Sequence, residues 1–235
     1  MTEIHKSLEE LSIESYRPKL DLGPNEYYKS ALQFAKTYYS EDINRILSVD
    51  FKKISPAFFF KECIWVVHAT GFSAKAVGSF FNRLVEAYGD YRILAEEDIG
   101  TSVDRIKQVC NNPQKIKAVH TIARTIHERD SDWEHFRDKF LNTPEKLAVL
   151  PYIGKITCYH LGRNIGLLDC VKPDLHLVRL VELWEFENCL SMCKHFQNLS
   201  IEIDGINRPL GIIDYILWIS CSTFGTIEVK KDGSR

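Results

Sequence analysis

Leu150-Pro151-Tyr152-Ile153-Gly154-Lys155-Ile156-Thr157 decides the fold. A proline and a glycine three residues apart punctuate two short helical patterns, Pro144 to Leu150 and Lys155 to Ile165, the second stopped by Gly166. Thr143 supplies an N-cap and Pro144 a first-turn proline for the first of them. Two helices joined by so tight a turn expose the unpaired N–H groups that open the second helix. Those donors and the helix dipole suit a phosphate oxygen, and Lys155 adds a cation at the same place.

Outward from this hairpin the chain reads as helix almost throughout. The spacing of apolar residues predicts helices over Glu26 to Tyr39, Pro56 to Ala69 and Ala74 to Tyr88, the last capped by Ser73 after a break at Gly71-Phe72. Others are expected over Ser102 to Cys110, Pro113 to Arg129, Asp132 to Leu141, Asp174 to Phe186 and Pro209 to Ser222. Leu199 to Ile206 reads as a short strand or a loop, with loop preferred. The fold class is all-α.

Composition narrows the classes. At 235 residues, with 45% hydrophobic and 26% charged residues, the chain has enough apolar material for a core and lacks the profile of a disordered protein. No apolar run reaches the roughly 18 residues of a membrane span. The start, Met1-Thr2-Glu3-Ile4-His5-Lys6, has no cationic stretch feeding an apolar one, so an intracellular location is expected. Seven cysteines, odd in number and set in apolar segments, read as reduced, mostly buried thiols. A net charge of −2 does not advertise nucleic acid, but Arg105, Lys107, Lys115, Lys117 and Arg124 occur without an intervening acid. That run is either a local basic face or an ordinary solvated helix face.

Downstream of the hairpin, Val171-Lys172-Pro173-Asp174-Leu175-His176 places one aspartate where a proline-led turn opens a helix. Taken alone, Asp174 is a good N-cap. Both motifs in this order and spacing, with Arg179 following, resemble the helix-hairpin-helix DNA glycosylase superfamily with its Gly/Pro-rich loop and aspartate. The match runs from about Pro144 to Leu183.

The resemblance implies two helical lobes with a DNA-binding cleft between them. A central helical barrel would span 53–170 and carry the helix-hairpin-helix at 144–165; residues 1–52 and 171–235 would form the other lobe. It implies that Tyr152, Ile153, Gly154, Lys155 and Thr157 meet the DNA backbone. Asp174 would be the catalytic carboxylate, supported by His176, Arg179 and Asp214, the last in an Asp-x-x-apolar-Trp pattern, Asp214 to Trp218. His68 stands where relatives carry a polar group that enters the duplex; it is a wedge or base contact, with Phe72 a second candidate, or a histidine capping its own helix. Tyr152, Tyr159 and Trp184 are aromatics close to the motif and available to a flipped base.

Two departures carry weight. The family turn usually has glycine where this chain has Tyr152, so the side chain narrows the phosphate approach, forces another turn geometry, or itself contacts sugar or base. Bifunctional relatives carry a lysine two residues after the hairpin glycine; here that residue is Ile156, which has no nucleophile. The resemblance therefore implies a monofunctional hydrolase, acting as a monomer without cofactor on double-stranded DNA that contains a damaged or modified base. Cys189, Cys193 and His195 lack a matching second pair, so no iron–sulfur cluster or other metal site is expected. The alternative is a non-catalytic helix-hairpin-helix module of a repair or recombination complex. Which base would be excised, and whether from the cell's own or foreign DNA, stays open.

Overall fold

The computed structural model describes residues 13–72 and 74–225, and among these the ordered elements are helices. Two compact units result: residues 1–47 with 168–235, and residues 48–167. The expected Ser73 cap lies outside the described residues.

The first unit holds α1 (Pro24–Tyr38) and α2 (Ser40–Leu47). The second holds α3 (Pro56–Ala69), α4 (Ala74–Gly78), α5 (Phe81–Tyr88), α6 (Tyr91–Glu96), α7 (Ile99–Ile106) and α8 (Pro113–His127). It continues through α9 (Trp133–Phe140), α10 (Pro144–Leu147) and α11 (Thr157–Asn164). The chain then returns to the first unit with α12 (Leu175–Leu183), α13 (Cys189–Asp204) and α14 (Leu210–Phe224).

In the 48–167 unit, α3 is the central rod. Ser55 caps it by accepting the Phe58 N–H at 3.1 Å, and Pro56 occupies its first turn. Phe59, Phe60, Cys63, Ile64 and Val67 are buried along it, against Ile116, Val119 and Ile122 of α8. The α8 start is set the same way, with Asn112 accepting the Lys115 N–H and Pro113 behind it. In the other unit, α14 is apolar on every side and buried accordingly. It packs on α1, α12 and α13, where the Tyr28 and Phe196 rings stack at 4.8 Å.

The structure corrects the reading of Leu199 to Ile206. Most of that segment belongs to α13, opened by an Asn188–Ser191 capping box and closed by Gly205 at φ 75°. Met192, Cys193, Phe196, Leu199 and Ser200 are buried at helical spacing, whereas Ile201 and Ile203 sit on the exposed face. Those outward isoleucines gave the segment its strand-like alternation. The expected helix Ala74 to Tyr88 is broken after Gly78 into α4 and α5. Helices α2 and α6 were not foreseen. Asp98 accepts the Gly100 and Thr101 N–H groups and so starts α7 ahead of the expected Ser102.

All seven cysteines are free thiols, six of them buried and Cys110 partly so. Among the described residues no helix is long and apolar enough to cross a membrane.

Candidate functional site

Helices α10 and α11 pack against each other, and the turn between them starts at Leu150. The Ile153 N–H donates to the Leu150 carbonyl at 3.0 Å, and Tyr152, third residue of this turn, has φ 67°. With Pro151 second, this is the signature of a type II turn, whose third position favours glycine. Tyr152 thus adopts the left-handed backbone that a glycine would take without cost. An L side chain there costs on the order of 1 kcal/mol.

Beyond the turn, the Gly154 N–H donates to the Thr157 Oγ1 at 2.7 Å, and the Gly154 carbonyl accepts the first helical bond, from the Cys158 N–H at 3.0 Å. Two expectations change here. Ile153 is a core residue, 2% exposed, and its N–H is spent inside the turn. Gly154 has already committed its donor, and Thr157 serves as the acceptor. At the opening of α11, the N–H groups of Lys155, Ile156 and Thr157 have no protein partner among the described residues. Lys155, Ile156 and Thr157 line an open groove together with Thr70, Leu150, Tyr152 and Gly154. Lys155 is exposed, and Ile156 is 48% exposed.

His68 corrects the sequence reading more sharply. Its side chain is 1% exposed, and its Nε2 and the Tyr88 hydroxyl form a 2.8 Å hydrogen bond inside the unit. Burial, aided by the nearby Lys115 ammonium, pushes its pKa down to about 4, so the ring is neutral at physiological pH. A ring so enclosed is no wedge. Its carbonyl, at the end of α3, accepts from the Lys115 Nζ at 2.9 Å. Phe72, the second candidate, is 53% exposed.

The basic run is largely spent within the fold. Arg105 pairs with Glu97 at 2.6 Å, Lys107 with Asp104 at 2.5 Å, Lys115 is buried, and Arg124 donates to the Ala95 carbonyl. Tyr159 donates its hydroxyl to Glu145 at 2.9 Å, across the hairpin's two helices. Trp184, partly buried, packs edge-on to Tyr27 at 5.0 Å against the core of its own unit.

In that unit, Asp174 is the N-cap of α12. Its Oδ1 accepts the His176 N–H at 3.0 Å and the Leu177 N–H at 3.2 Å. Its Oδ2 lies 3.4 Å from the Lys172 Nζ, and the carboxylate keeps 12% of its surface. The loop that carries it is pinned to the start of α14. There the Gly211 N–H donates to the Leu168 carbonyl at 2.7 Å, and buried Asp214 accepts the Lys172 N–H at 3.2 Å. Asp214 is therefore a buttress of the aspartate loop. His176 and Arg179 are partly buried on α12. Burial lowers the His176 pKa, the Asp174 charge opposes that shift, and Arg179 and Lys172 add to it. The fold thus gathers Lys172, Asp174, His176, Arg179 and Asp214. Lys172 was quoted in the motif without a role; its position two residues before a proline-led cap was the available signal.

No protein-family model matches the chain, and no curated protein or solved structure matches it.

Proposed function

We propose that the protein is a monofunctional DNA N-glycosylase of the helix-hairpin-helix type, acting as a monomer on a damaged or modified base in duplex DNA. The observation that carries this reading is the hairpin itself. A left-handed residue stands where a glycine turn would have one, followed by three unpartnered N–H groups and an exposed lysine at a helix start. That arrangement accepts a backbone phosphate and fixes register without reading sequence. A chain anchored in this way has a use for a fixed anion elsewhere, and Asp174 is such an anion.

In the reaction, the target nucleotide leaves the stack and its C1′–N bond breaks as the sugar takes on oxocarbenium character. The Asp174 carboxylate stabilises that charge and orients a water, whose oxygen forms the new bond to C1′. The water's proton passes to the Asp174 carboxylate and on to solvent, and the base nitrogen that takes the C1′–N electron pair gains a proton from solvent, so the base leaves as a neutral molecule. Lys172, Asp214 and the α12 N–H groups hold the carboxylate in place. Ile156 contributes no amine, so the strand stays intact at an abasic site.

The deciding experiment is a screen of base release on duplexes carrying alkylated, oxidised, mispaired and enzymatically modified bases, with modified phage DNA alongside. A second reading, a non-catalytic DNA-binding module, is favoured by one observation: Oδ1 of Asp174 is engaged in capping and Oδ2 is paired with Lys172. DNA binding with no base released from any substrate would select it.

Two expected results follow from the hairpin. Gly154→Val should weaken binding to every duplex by about tenfold while the protein stays folded, because added volume meets the phosphate and not the protein. A Cβ on Gly154 finds only the Thr157 Oγ1, at 4.0 Å. Anisotropy titrations on several duplexes measure this, and a loss confined to one lesion would move Gly154 into base recognition. Borohydride should trap no covalent protein–DNA adduct during turnover, since hydrolysis by water never forms an imine. Efficient trapping would overturn the monofunctional assignment, with Lys155 the first nucleophile to test.

A further inference from the structure

Lys115 is 2% exposed, yet no carboxylate pairs with it among the described residues. A buried cation is costly unless its donors are met. Here the ammonium donates to the His68 carbonyl at 2.9 Å and to the Thr70 carbonyl at 2.6 Å, at the C-terminal end of α3, where the helix dipole favours positive charge. Two rings flank it: Nζ lies 4.5 Å from the Phe72 ring centre and 5.9 Å from that of Tyr152. Both rings are also exposed, 53% for Phe72 and 39% for Tyr152.

This arrangement accounts for the odd residue of the turn. Glycine at position 152 would relieve the left-handed strain but would uncover one side of the ammonium. Tyrosine tolerates the strain and closes over the charge. Lys115 of α8 touches both the segment after α3 and the hairpin turn, two stretches about eighty residues apart in the chain.

We propose that Lys115 is a positioning residue of the hairpin site: its buried ammonium ties the segment His68–Phe72 to the Tyr152 turn and sets the two exposed rings as a stacking surface for a nucleotide of the strand held at α11. This rests on the DNA-binding reading above. The charge also serves the same end, since a cation without a carboxylate beneath an exposed groove raises the local potential for a polyanion. Burial pulls the Lys115 pKa below the ordinary lysine value, and the nearby Cys110 opposes that shift.

The test separates linkage from DNA binding. In the protein without DNA, amide hydrogen exchange reports Phe72, whose N–H donates to the Ala69 carbonyl, and Ile153, whose N–H donates to Leu150. Lys115→Met should speed exchange at both amides by about tenfold and leave the core of α3 unchanged. Tyr152→Leu should loosen the Phe72 amide, and Phe72→Leu the Ile153 amide; both changes are at exposed rings and keep the fold. Should Lys115→Met fail to fold, this reciprocal pair carries the test, and the absence of any cross-effect overturns the proposal. Faster exchange throughout residues 48–167 in Lys115→Met would make the lysine an ordinary core residue and also overturn it.

On DNA, wild-type protein and Lys115→Met are titrated by anisotropy with a labelled duplex carrying a tetrahydrofuran abasic-site analogue. About tenfold weaker binding by the variant is expected. Equal binding by the two proteins sinks the positioning role. Absence of binding by wild-type protein removes the DNA reading instead, and the exchange results show which of the two has failed.

Discussion

Asp174→Asn is expected to lower base release by about 100-fold or more while the protein stays folded and still binds duplex DNA. The geometry makes asparagine an informative replacement. Its side-chain oxygen can keep both cap bonds, from the His176 and Leu177 N–H groups, and asparagine caps helices about as well as aspartate. What disappears is the negative charge beside Lys172. An amide cannot stabilise a cationic sugar as a carboxylate does, so catalysis falls and the helix does not. On the proposed reading the change also removes repulsion between Asp174 and the DNA, so binding is expected to hold or tighten. Asp174→Ala, by contrast, removes the cap too and should cost about 1 kcal/mol of stability. Single-turnover release on a substrate from the screen, run beside thermal melts of both variants, separates the two roles. A folded Asp174→Asn protein with nearly full turnover would leave Asp174 with capping alone.

The parts of this molecule legible in its sequence are those written in local chemistry. Pro151 and Gly154 announced a tight turn, Asp174 a cap, and the apolar run within Pro209 to Ser222 the last helix, because each signal needs only its near neighbours. The parts that were missed depend on packing. In α13, the exposed Ile201 and Ile203 imitated strand alternation, and only the burial of Met192, Phe196 and Leu199 shows which period governs. His68 read as a wedge or base contact, or as a cap of its own helix, but its partner is Tyr88 of another helix, which no spacing rule connects to it. The basic run from Arg105 to Arg124 read as either a local basic face or a solvated helix face; four of its five charges find Glu97, Asp104 or backbone carbonyls, and Lys117 is exposed. Lys115 is the extreme case, since residues from three segments must meet before its role exists. In the sequence it was one cation among five.

Gly166→Ala is the substitution expected to cost the most stability. Gly166 has φ 91°, and a Cβ built there would lie 2.6 Å from the Val49 carbonyl oxygen and 3.0 Å from the Phe51 nitrogen. Both are backbone atoms, so no flexible side-chain tip can move aside. The left-handed backbone costs an L residue about 1–2 kcal/mol, and overpacking adds roughly 1–3 kcal/mol. The position magnifies the effect. Residues 48–167 form one unit, and Val49 and Gly166 stand near its two chain ends, so their close approach is where that unit is closed. Phe51 and Ile165 on either side are buried in its core. Thermal unfolding followed by calorimetry should show the transition of this unit lowered by roughly 5–15 °C. Gly154→Ala is the matching control: its φ is not in the left-handed region, its Cβ has room, and its melting temperature should stay near wild type. An unchanged transition in Gly166→Ala would mean that the backbones do not approach as described. The pair also guards the hairpin argument. A loss of DNA binding in Gly166→Ala must come with a lowered transition, because α11 runs from the hairpin towards that glycine. In Gly154→Val the same loss must come without one, and only then does it report a phosphate denied its place.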